Sequence, residues 1–380
     1  MWARDCDKTT RMTGRAEFVV LHEFPKAEVE TRWRECLTHV KFPAHYDSPE
    51  FFLEPYWVGR RPFAVLAIND GGINGVLTGC HDGSHVVSGL ESRPQLCVAD
   101  RGSPEVTLNL LLQGLLKESA VASQITVYSW SGTPLQPFSD HGFRHRLLEG
   151  NVVLDLSIGA ENVFKQFSES RRRNIRLAIK NNVEVFQGSS NEHYLAFYDV
   201  YLRWRRTERK IVGTPEVPFE TFKQAFQLSR NRRLFLARVS EKIVAGTTLR
   251  FFPKGLLESA ANASLDECLE FRPNDLLSWR TVEWRCQEGF PRYSLCGAHP
   301  FHRRCGGTVS PVLRYRADLT SLKTHMVRED ISDFGRRVFR KLPLSLQKSR
   351  FEIGSERHRL SRKYVWVASG RRAMLGCLGV

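Results

Sequence analysis

The stretch that organises this chain is Cys268–Gly306, which reads CLEFRPNDLLSWRTVEWRCQEGFPRYSLCGAHPFHRRCG. Apolar residues recur with helical spacing in its first half, which predicts a helix. Gly289 and Pro291 end that helix, and Tyr293–Leu295 predicts a short strand. The basic loop His299–Arg304 follows. A loop–helix–strand unit that brings a cationic loop to the edge of a sheet is typical of the working end of a transferase domain.

The composition of the chain is that of an ordinary globular protein with more than one core. It has 380 residues, of which 42% are hydrophobic and 26% charged, and a chain of this length favours two domains. No window approaches 18 apolar residues, and the start of the sequence lacks a signal-peptide pattern. The nine cysteines are scattered and contain no CxxC pair. These features favour reduced thiols and a cytoplasmic location.

The positive charge is concentrated at the end of the chain. Of the net charge of +15, residues 316–380 contribute +9, with 15 Lys and Arg against 6 Asp and Glu. Such a tail favours an anionic partner such as RNA, an acidic membrane surface or a phosphorylated substrate. A solvated basic face without a specific partner is the alternative. An amphipathic helix is predicted within the tail at Arg328–Lys341.

Two halves of the chain repeat one order of elements. Strands are predicted at Glu17–Leu21 and Gln124–Trp130, and the Asp70-Gly71 pair between two apolar runs predicts a hairpin in the first half. The second half contains a similar hairpin within Arg233–Phe252. Each half runs from helices through a hairpin to a helix and a strand. The sequence therefore predicts an α/β protein with mixed sheets and a weak internal repeat of architecture.

A second stretch identifies the fold more closely. Asn151–Phe186 reads NVVLDLSIGAENVFKQFSESRRRNIRLAIKNNVEVF, and it resembles the FemAB-like branch of the GNAT acyltransferases, in which a DLS strand precedes a helix of the form RRNIRxAxKxxV. The FRPNDLL loop at Phe271–Leu277, the helix after it and the strand at Tyr293 match the same family in order. The resemblance spans residues 20–345 and is most specific in residues 151–307.

The resemblance implies two tandem GNAT-like acyltransferase domains and a basic helical C-terminal tail. The expected parts are a disordered leader, a degenerate N-terminal GNAT-like domain, a C-terminal GNAT-like acyltransferase domain and the tail, at residues 1–15, 16–150, 151–315 and 316–380. The donor implied is an acyl-CoA or an aminoacyl-tRNA. The implied partner is an anionic substrate or carrier, namely tRNA or a nucleotide-linked or lipid-linked precursor. Contact of the tail with a membrane periphery is also expected.

The chain departs from the family in the loop that ends the organising stretch. The family commonly carries a FK-x-x-FG loop here, whereas this chain has His302 in place of the lysine. The family strand often reads Tyr-Asp-x-Gly, whereas Ser294 follows Tyr293 in this chain. An imidazole titrates near neutral pH and can take a proton from an attacking amine. His302 is therefore the candidate catalytic residue, and a surface histidine is the alternative.

Six further residues are candidates for binding the donor or the acceptor. Arginine suits phosphate recognition, and the backbone at the start of a helix favours anions. The FRPND loop contains no glycine for close approach of a pyrophosphate, which disfavours acetyl-CoA. The exposed run SRRRNIRLAIK is expected to guide a nucleic acid or to be a solvated face. The candidate binding residues are Arg206, Arg272, Asn274, Tyr293, Arg303 and Arg304.

No metal site is expected. Cys296, His299, His302 and Cys305 recur every three residues, but four ligands within ten residues around Pro300 can hardly surround a tetrahedral zinc ion. The sequence also lacks the P-loop, GxSxG, HExxH and GxGxxG motifs, which excludes several classes of hydrolase and nucleotide-binding protein.

Two functions remain open at the level of sequence. The leading interpretation is an acyltransferase, an N-acetyl- or aminoacyltransferase, that acylates an amine on a cell-envelope precursor or polysaccharide. The alternative is a non-catalytic, degenerate GNAT-fold protein that binds RNA or an anionic membrane surface.

Overall fold

The computed structural model describes residues 16–57, 59–69, 71–208 and 216–341. The elements of the first half are β1 (Glu17–Leu21), α1 (Ala27–Thr38), β2 (Arg61–Asn69), β3 (Gly72–Asp82), β4 (His85–Ser88), β5 (Leu96–Val98), α2 (Pro104–Glu118), β6 (Gln124–Trp130), α3 (Gln136–Asp140) and β7 (Arg144–Asp155). Those that follow are α4 (Ala160–Gln166), α5 (Glu169–Lys180), β8 (Glu184–Gly188), α6 (Asn191–Arg203), α7 (Phe219–Leu228), β9 (Arg232–Val239), β10 (Lys242–Phe251), β11 (Leu256–Ser264), α8 (Pro273–Gln287), β12 (Arg292–Ser294), α9 (Pro300–Arg303), β13 (Thr308–Asp318) and α10 (Thr324–Lys341).

Several predicted elements are confirmed with their bounds. β1 and β6 begin and end at the predicted residues, and β2 and β3 pair as the predicted hairpin, β2 ending at Asn69 and β3 beginning at Gly72. The tail helix begins at Thr324 rather than at Arg328, because Asp318 caps it by accepting a hydrogen bond from the Met326 backbone N–H at 2.9 Å. The predicted leader, residues 1–15, and the tail after residue 341 lie outside the described residues.

The predicted repeat is visible in the strand pairing. In each half an antiparallel hairpin is followed by a parallel pair of strands with a helix between them: β4 and β6 around α2, and β11 and β12 around α8. Parallel strands require such a crossover connection. The described strands form one sheet in the order β1-β2-β3-β4-β6-β13-β7-β12-β11-β10-β9-β8, with β5 paired to β3.

The two halves exchange their last strands. β7 follows β6 in the chain but pairs with β12 of the second half, whereas β13 follows β12 and pairs with β6 of the first half. β7 and β13 pair with each other at the centre of the sheet. The boundary expected between residues 150 and 151 falls within β7, and the one expected at residue 315 falls within β13. Neither position is therefore a break in the sheet.

Helices cover both faces of each half of the sheet. In the second half, Phe235 and Ala237 of β9 face the core beneath α5 and α8, whereas Leu234 and Leu236 face the core beneath α6 and α7. This alternation is the period-two pattern of a strand buried on both faces. In the first half, α2 and α3 cover one face and α1 covers the other.

A segment of the first half joins the two halves through buried charges. It comprises residues 42–57 and contains the 3-10 turns His45–Asp47 and Pro49–Leu53. Its Pro43 carbonyl accepts a hydrogen bond from the Leu256 N–H at 2.8 Å. Its Glu54 carboxylate accepts hydrogen bonds from His45 at 2.6 Å and from the Arg232 guanidinium at 2.5 Å and 2.6 Å.

Gly150 allows the close contact between the exchanged strands. Its φ is 82°, and a Cβ there would lie 2.0 Å from the Ser310 carbonyl oxygen. Gly142 has a similar φ of 76° but no atom within 4 Å of such a Cβ. We expect Gly142→Ala to cost about 1–2 kcal/mol in free energy of unfolding, from the left-handed backbone alone. Gly150→Ala should cost about 1–3 kcal/mol more, because the neighbouring backbone must move. Urea denaturation measures both, and equal losses would contradict this packing argument.

Candidate active site

The candidate site begins where the two parallel strands of the second half separate. β11 and β12 are paired only from Leu256 and Arg292 to Glu258 and Ser294. Beyond that point β11 runs on to Ser264 beside β10. The chain after β12 turns instead to β7, where Leu295 N–H donates to the Val152 carbonyl at 2.9 Å. A wedge therefore opens between β11 and the residues after β12. Carboxyl ends of parallel strands are the usual binding edge of such sheets.

An exposed polar side chain within β11 marks the wedge. Asn262 is exposed although it lies between the buried Ala261 and Ala263 in an interior strand. The register shift opposite Thr248 and Leu249 leaves Ala260 without a partner residue on β10. This bulge reverses the order in which the side chains of β11 point to the two faces of the sheet. Asn262 and Ser264 therefore face the side that α8 covers. Sequence reasoning missed Asn262; its signal was a polar residue in the apolar strand LLESAANAS.

The loop of residues 295–305, here called the site loop, carries the predicted catalytic residue. His302 lies in α9 and is half-buried. Its Nδ1 is 3.1 Å from the Gly297 carbonyl oxygen, so Nδ1 carries the hydrogen and Nε2 has the free lone pair. No partner binds Nε2 among the described residues. Burial lowers the pKa of His302, and His299 and Arg171 lower it further, although the bond to Gly297 opposes this. The imidazole is therefore neutral at pH 7.

Arg171 of α5 anchors the site loop. Its side chain is fully buried, and Nη1 donates to the Phe301 carbonyl at 3.1 Å. The guanidinium lies 4.2 Å from the Phe301 ring centroid, and its Nε is 3.7 Å from the Asp275 carboxylate at the start of α8. Asn174 donates to the same carboxylate at 3.1 Å. α5, α8 and the site loop are thus held together by one buried network.

The expectation of an exposed basic run on α5 needs a correction at Arg171. Arg171, Ile175 and Ala178 are all buried and lie at helical positions i, i+4 and i+7. That spacing was the signal that places Arg171 on the inner face. The remaining cations of this helix stay on its outer surface, and together they form what is here called the α5 strip: Arg172, Arg173, Arg176 and Lys180.

The start of α8 brings Arg272 and Asn274 to the same region. Arg272 is exposed and has a left-handed φ of 59°. The Asn274 amide donates to the Ser264 hydroxyl of β11 at 2.8 Å. Pro273 offers no N–H, and the Asp275 carboxylate occupies the first turn of the helix. The positive helix end is thus already neutralised, so this turn suits a donor pyrophosphate poorly.

The other predicted residues have different surroundings. Arg303 is bound to the Glu149 carboxylate and donates to the Ala298 carbonyl at 2.9 Å. Arg304 is exposed and lies 5.7 Å from the Phe301 ring centroid. Tyr293 is buried with the Arg285 guanidinium 3.3 Å from its ring centroid, which leaves no face for a ligand. Arg206 forms an ion pair with Glu216 beyond α6, on the other face of the sheet. The Arg171 network thus joins the site loop, which carries His302, Arg303 and Arg304, to the start of α8, which carries Arg272 and Asn274. Arg206 lies elsewhere.

The cysteines and histidines of the site loop do not converge. Among the described residues, no group of three or more His, Cys, Asp and Glu side chains could hold a metal ion. Burial raises the pKa of Cys296 to about 12, so its thiol stays protonated. In the described part of the chain no helix has the length and apolar character needed to cross a membrane.

Comparison with known proteins places this geometry in a class. Residues 168–304 match the model of the acetyltransferase (GNAT) domain family. Among solved structures, FemX aligns with a TM-score of 0.63 at 13% identity, over 81% of this chain and 99% of its own. A tandem GNAT protein from the clavulanic acid biosynthesis pathway aligns with a TM-score of 0.52 at 12% identity, over 80% of this chain and 98% of its own.

A third solved structure, L-PGS from Bacillus licheniformis, aligns with a TM-score of 0.51 at 13% identity, over 81% of this chain and 96% of its own. Among curated proteins, no sequence is significantly similar to this chain. The chain therefore has the GNAT fold, and its match to the family model lies in the second half, at residues 168–304. Like the tandem GNAT protein, the chain contains two such folds in tandem, and its overall fold is similar to that of FemX.

Proposed function

We propose that the protein transfers an aminoacyl group from aminoacyl-tRNA to an amine on a cell-envelope precursor or polysaccharide, with His302 as the general base. The observation that carries the proposal is the state of His302: it is neutral, it is fixed through Nδ1, and its Nε2 is free among the described residues. It also lies next to the wedge, where a donor can lie along the unpaired edge of β11.

The reaction needs little more than alignment and one proton transfer. The amine nitrogen attacks the acyl carbon and forms the C–N bond, while His302 Nε2 accepts the amine proton. The ester C–O bond then breaks, and the proton passes to the departing ribose oxygen. The β11 backbone beyond Glu258 lacks a strand partner on the wedge side, so its N–H groups can stabilise the oxyanion. Asn262 can orient the aminoacyl group from the same strand.

The charge distribution supports an RNA donor over acyl-CoA. The start of α8 lacks both a glycine loop and a free helix end for a pyrophosphate. The α5 strip instead offers a row of cations, of which Arg173, Arg176 and Lys180 are exposed. Arg304 adjoins the strip because its carbonyl accepts a hydrogen bond from the Ser168 N–H at 2.9 Å. A row of side-chain cations suits the successive phosphates of a nucleic acid.

Labelled donors test the proposal directly. The purified chain is incubated with aminoacyl-tRNA or acetyl-CoA and a nucleotide-linked envelope precursor that bears a free amine, and labelled product is separated. We expect transfer from aminoacyl-tRNA. Transfer from acetyl-CoA alone would overturn the donor assignment, and transfer from neither, with RNA or membrane binding retained, would favour the non-catalytic alternative.

The α5 strip gives a prediction that is specific to an RNA donor. Arg173→Glu combined with Arg176→Glu should weaken tRNA binding about tenfold and reduce the slope of log binding constant against log salt by about 2. Arg238→Glu, at an exposed pair with Glu184 on the far edge of the sheet, is the matched control. Filter binding at several salt concentrations measures both. An unchanged salt slope in the double variant would exclude the strip as an RNA contact.

We also propose that α10 rests on an anionic membrane surface. Its Glu329 pairs with Arg314 and Arg316 of the sheet, and its Asp330 forms an exposed pair with Arg144. Its exposed side carries an apolar stripe at positions i, i+4 and i+7: Val327, Ile331 and Phe334. An apolar stripe on a basic helix is typical of interfacial binding. Ile331→Glu with Phe334→Glu should abolish sedimentation with phosphatidylglycerol vesicles, whereas Val121→Glu, an exposed residue beyond α2, should not. Equal sedimentation of both variants would refute this contact.

A further inference from the structure

A cavity of about 530 Å³ lies at the opposite ends of the strands that form the wedge. It is bordered by the end of α1, the residues after it, the turn between β10 and β11, and the start of β12. Its size falls within the range of small-molecule sites. The wedge lies beyond Glu258 and Ser294, whereas the cavity adjoins Leu256 and Arg292, where the same strands begin. The cavity is therefore separate from the candidate active site.

The floor of the cavity is apolar. Leu37, Leu256 and Phe252 underlie it, and Phe252 belongs to the core beneath α1 although it comes from the second half of the chain. The more exposed Val40, Pro253 and Pro291 of the lining give the apolar surface that a ligand can contact. The turn of β10 and β11 packs tightly on the first half, because a Cβ at Gly255 would lie 2.6 Å from the Pro43 carbonyl oxygen. Both halves therefore build the floor, and neither can move without changing it.

The rim of the cavity carries uncompensated positive charge. Lys41, Lys254 and Arg292 have no carboxylate partner among the described residues. The Lys41 ammonium lies 5.3 Å from the Phe42 ring centroid, and Arg292 donates to the Lys41 carbonyl at 2.5 Å and lies 5.0 Å from the same ring. These contacts position two cations at the rim without neutralising them.

The other two charged residues of the lining are already matched. Arg34 is bound to Glu30 at 2.8 Å and Glu50 at 2.7 Å, and Glu35 is bound to Arg101 at 3.1 Å. The net charge offered to a ligand is therefore that of the three rim cations. An apolar floor beneath such a rim fits neither a purely polar ion nor a neutral hydrocarbon.

We propose that this cavity binds an anionic amphiphile, with a phosphate head between Lys41, Lys254 and Arg292 and a single alkyl chain on the apolar floor. Phosphate draws its affinity from charge-assisted hydrogen bonds, and the chain gains from the area it removes from water. Because both halves line the cavity, the ligand bridges them. The phosphate belongs either to a membrane lipid or to a free alkyl phosphate. The site does not depend on the acyl-transfer reaction.

Calorimetry of the full chain with three probes tests the proposal. Decyl phosphate should bind at least about tenfold more tightly than decanol or inorganic phosphate, since only it satisfies both rim and floor. Lys41→Ala with Lys254→Ala should weaken decyl phosphate binding about tenfold or more, and both residues are exposed, so folding is not at risk. Lys165→Ala, an exposed lysine on α4, is the matched control and should bind as the wild type does.

Three outcomes would overturn the proposal. They are equal affinity for decanol and decyl phosphate, equal affinity for inorganic and decyl phosphate, and unchanged affinity in the double lysine variant. Phosphatidic acid vesicles then separate the two sources. In the Ile331→Glu/Phe334→Glu variant, which lacks the proposed membrane contact of α10, vesicle binding that decyl phosphate displaces assigns the phosphate to a lipid. Decyl phosphate binding without such displaceable vesicle binding assigns it to a soluble ligand. The measurement reports binding alone, so it is independent of whether acyl transfer is found.

Discussion

Replacing Glu54 by alanine is expected to lower the free energy of unfolding by about 3–5 kcal/mol, because it leaves a buried cation without its partner. The Glu54 and Arg232 side chains are 1% and 2% exposed, and one guanidinium nitrogen contacts both carboxylate oxygens. His45, fully buried, binds one of the same oxygens at 2.6 Å. The loss should therefore exceed that of a surface ion pair several-fold.

The pKa values in this cluster predict its pH dependence. Burial alone would raise the pKa of Glu54, but the Arg232 charge and the His45 hydrogen bond outweigh burial and lower it. Its stabilising contribution is therefore complete above the ordinary value of 4.5 and is lost as the pH falls below it. Burial lowers the pKa of His45 despite the bond to Glu54, so its contribution is lost as the pH falls below 6.5. Wild-type stability should fall in both steps.

A surface pair of the same chemistry provides the control for Glu54. Arg238 and Glu184 form an exposed ion pair on β9 and β8, and Glu184→Ala should cost less than about 1 kcal/mol. Urea denaturation at pH 7 measures both variants. If Glu54→Ala does not fold, Glu54→Gln keeps the size of the side chain and should show a smaller loss in the same direction. Equal losses at residues 54 and 184 would show that the buried cluster does not join the halves as described.

The sequence predicted the elements better than their arrangement. Local patterns sufficed for β1, β6 and the Asp-Gly hairpin, because turn chemistry and period-two alternation are local properties. The exchange of β7 and β13 could not be predicted from the sequence, because the apolar pattern of each strand is the same whichever half it pairs with. Likewise Glu54 and Arg232 are 178 residues apart, and no sequence pattern around either residue identifies its partner.

The site shows the same division between local and long-range information. The organising stretch predicted the helix, the strand and the basic loop, and the structure places His302, Arg303 and Arg304 in the loop that follows β12 and borders the wedge. The roles of these residues stay predictions. Residue type was a poor guide to burial. Arginine is usually exposed, but Arg171 is buried and anchors the site loop from the core. Tyr293 likewise lies in the core, because β12 is an interior strand.

Replacing His302 by alanine is expected to lower kcat for aminoacyl transfer by about 10²–10⁴-fold, the usual contribution of a general base. The reaction needs the neutral imidazole, and the pKa of His302 lies below its ordinary value of 6.5 because the ring is half-buried. Protonation of the substrate amine lowers the rate at acidic pH in every variant. In the wild type, protonation of the imidazole adds a further loss as the pH drops through that lowered pKa, and this extra loss should disappear when the imidazole is removed.

Two further variants distinguish the role of His302 as a general base from a structural role of its ring. His302→Asn can still donate a hydrogen bond to the Gly297 carbonyl but cannot accept the amine proton, so it should fold normally and lose activity as alanine does. His145→Ala removes an exposed imidazole from β7, outside the site loop, and its kcat should stay close to that of the wild type. Rates of labelled aminoacyl transfer between pH 5 and 8 measure all of these proteins. An asparagine variant that keeps wild-type activity, or one that keeps the full wild-type pH profile, would show that another group takes the proton.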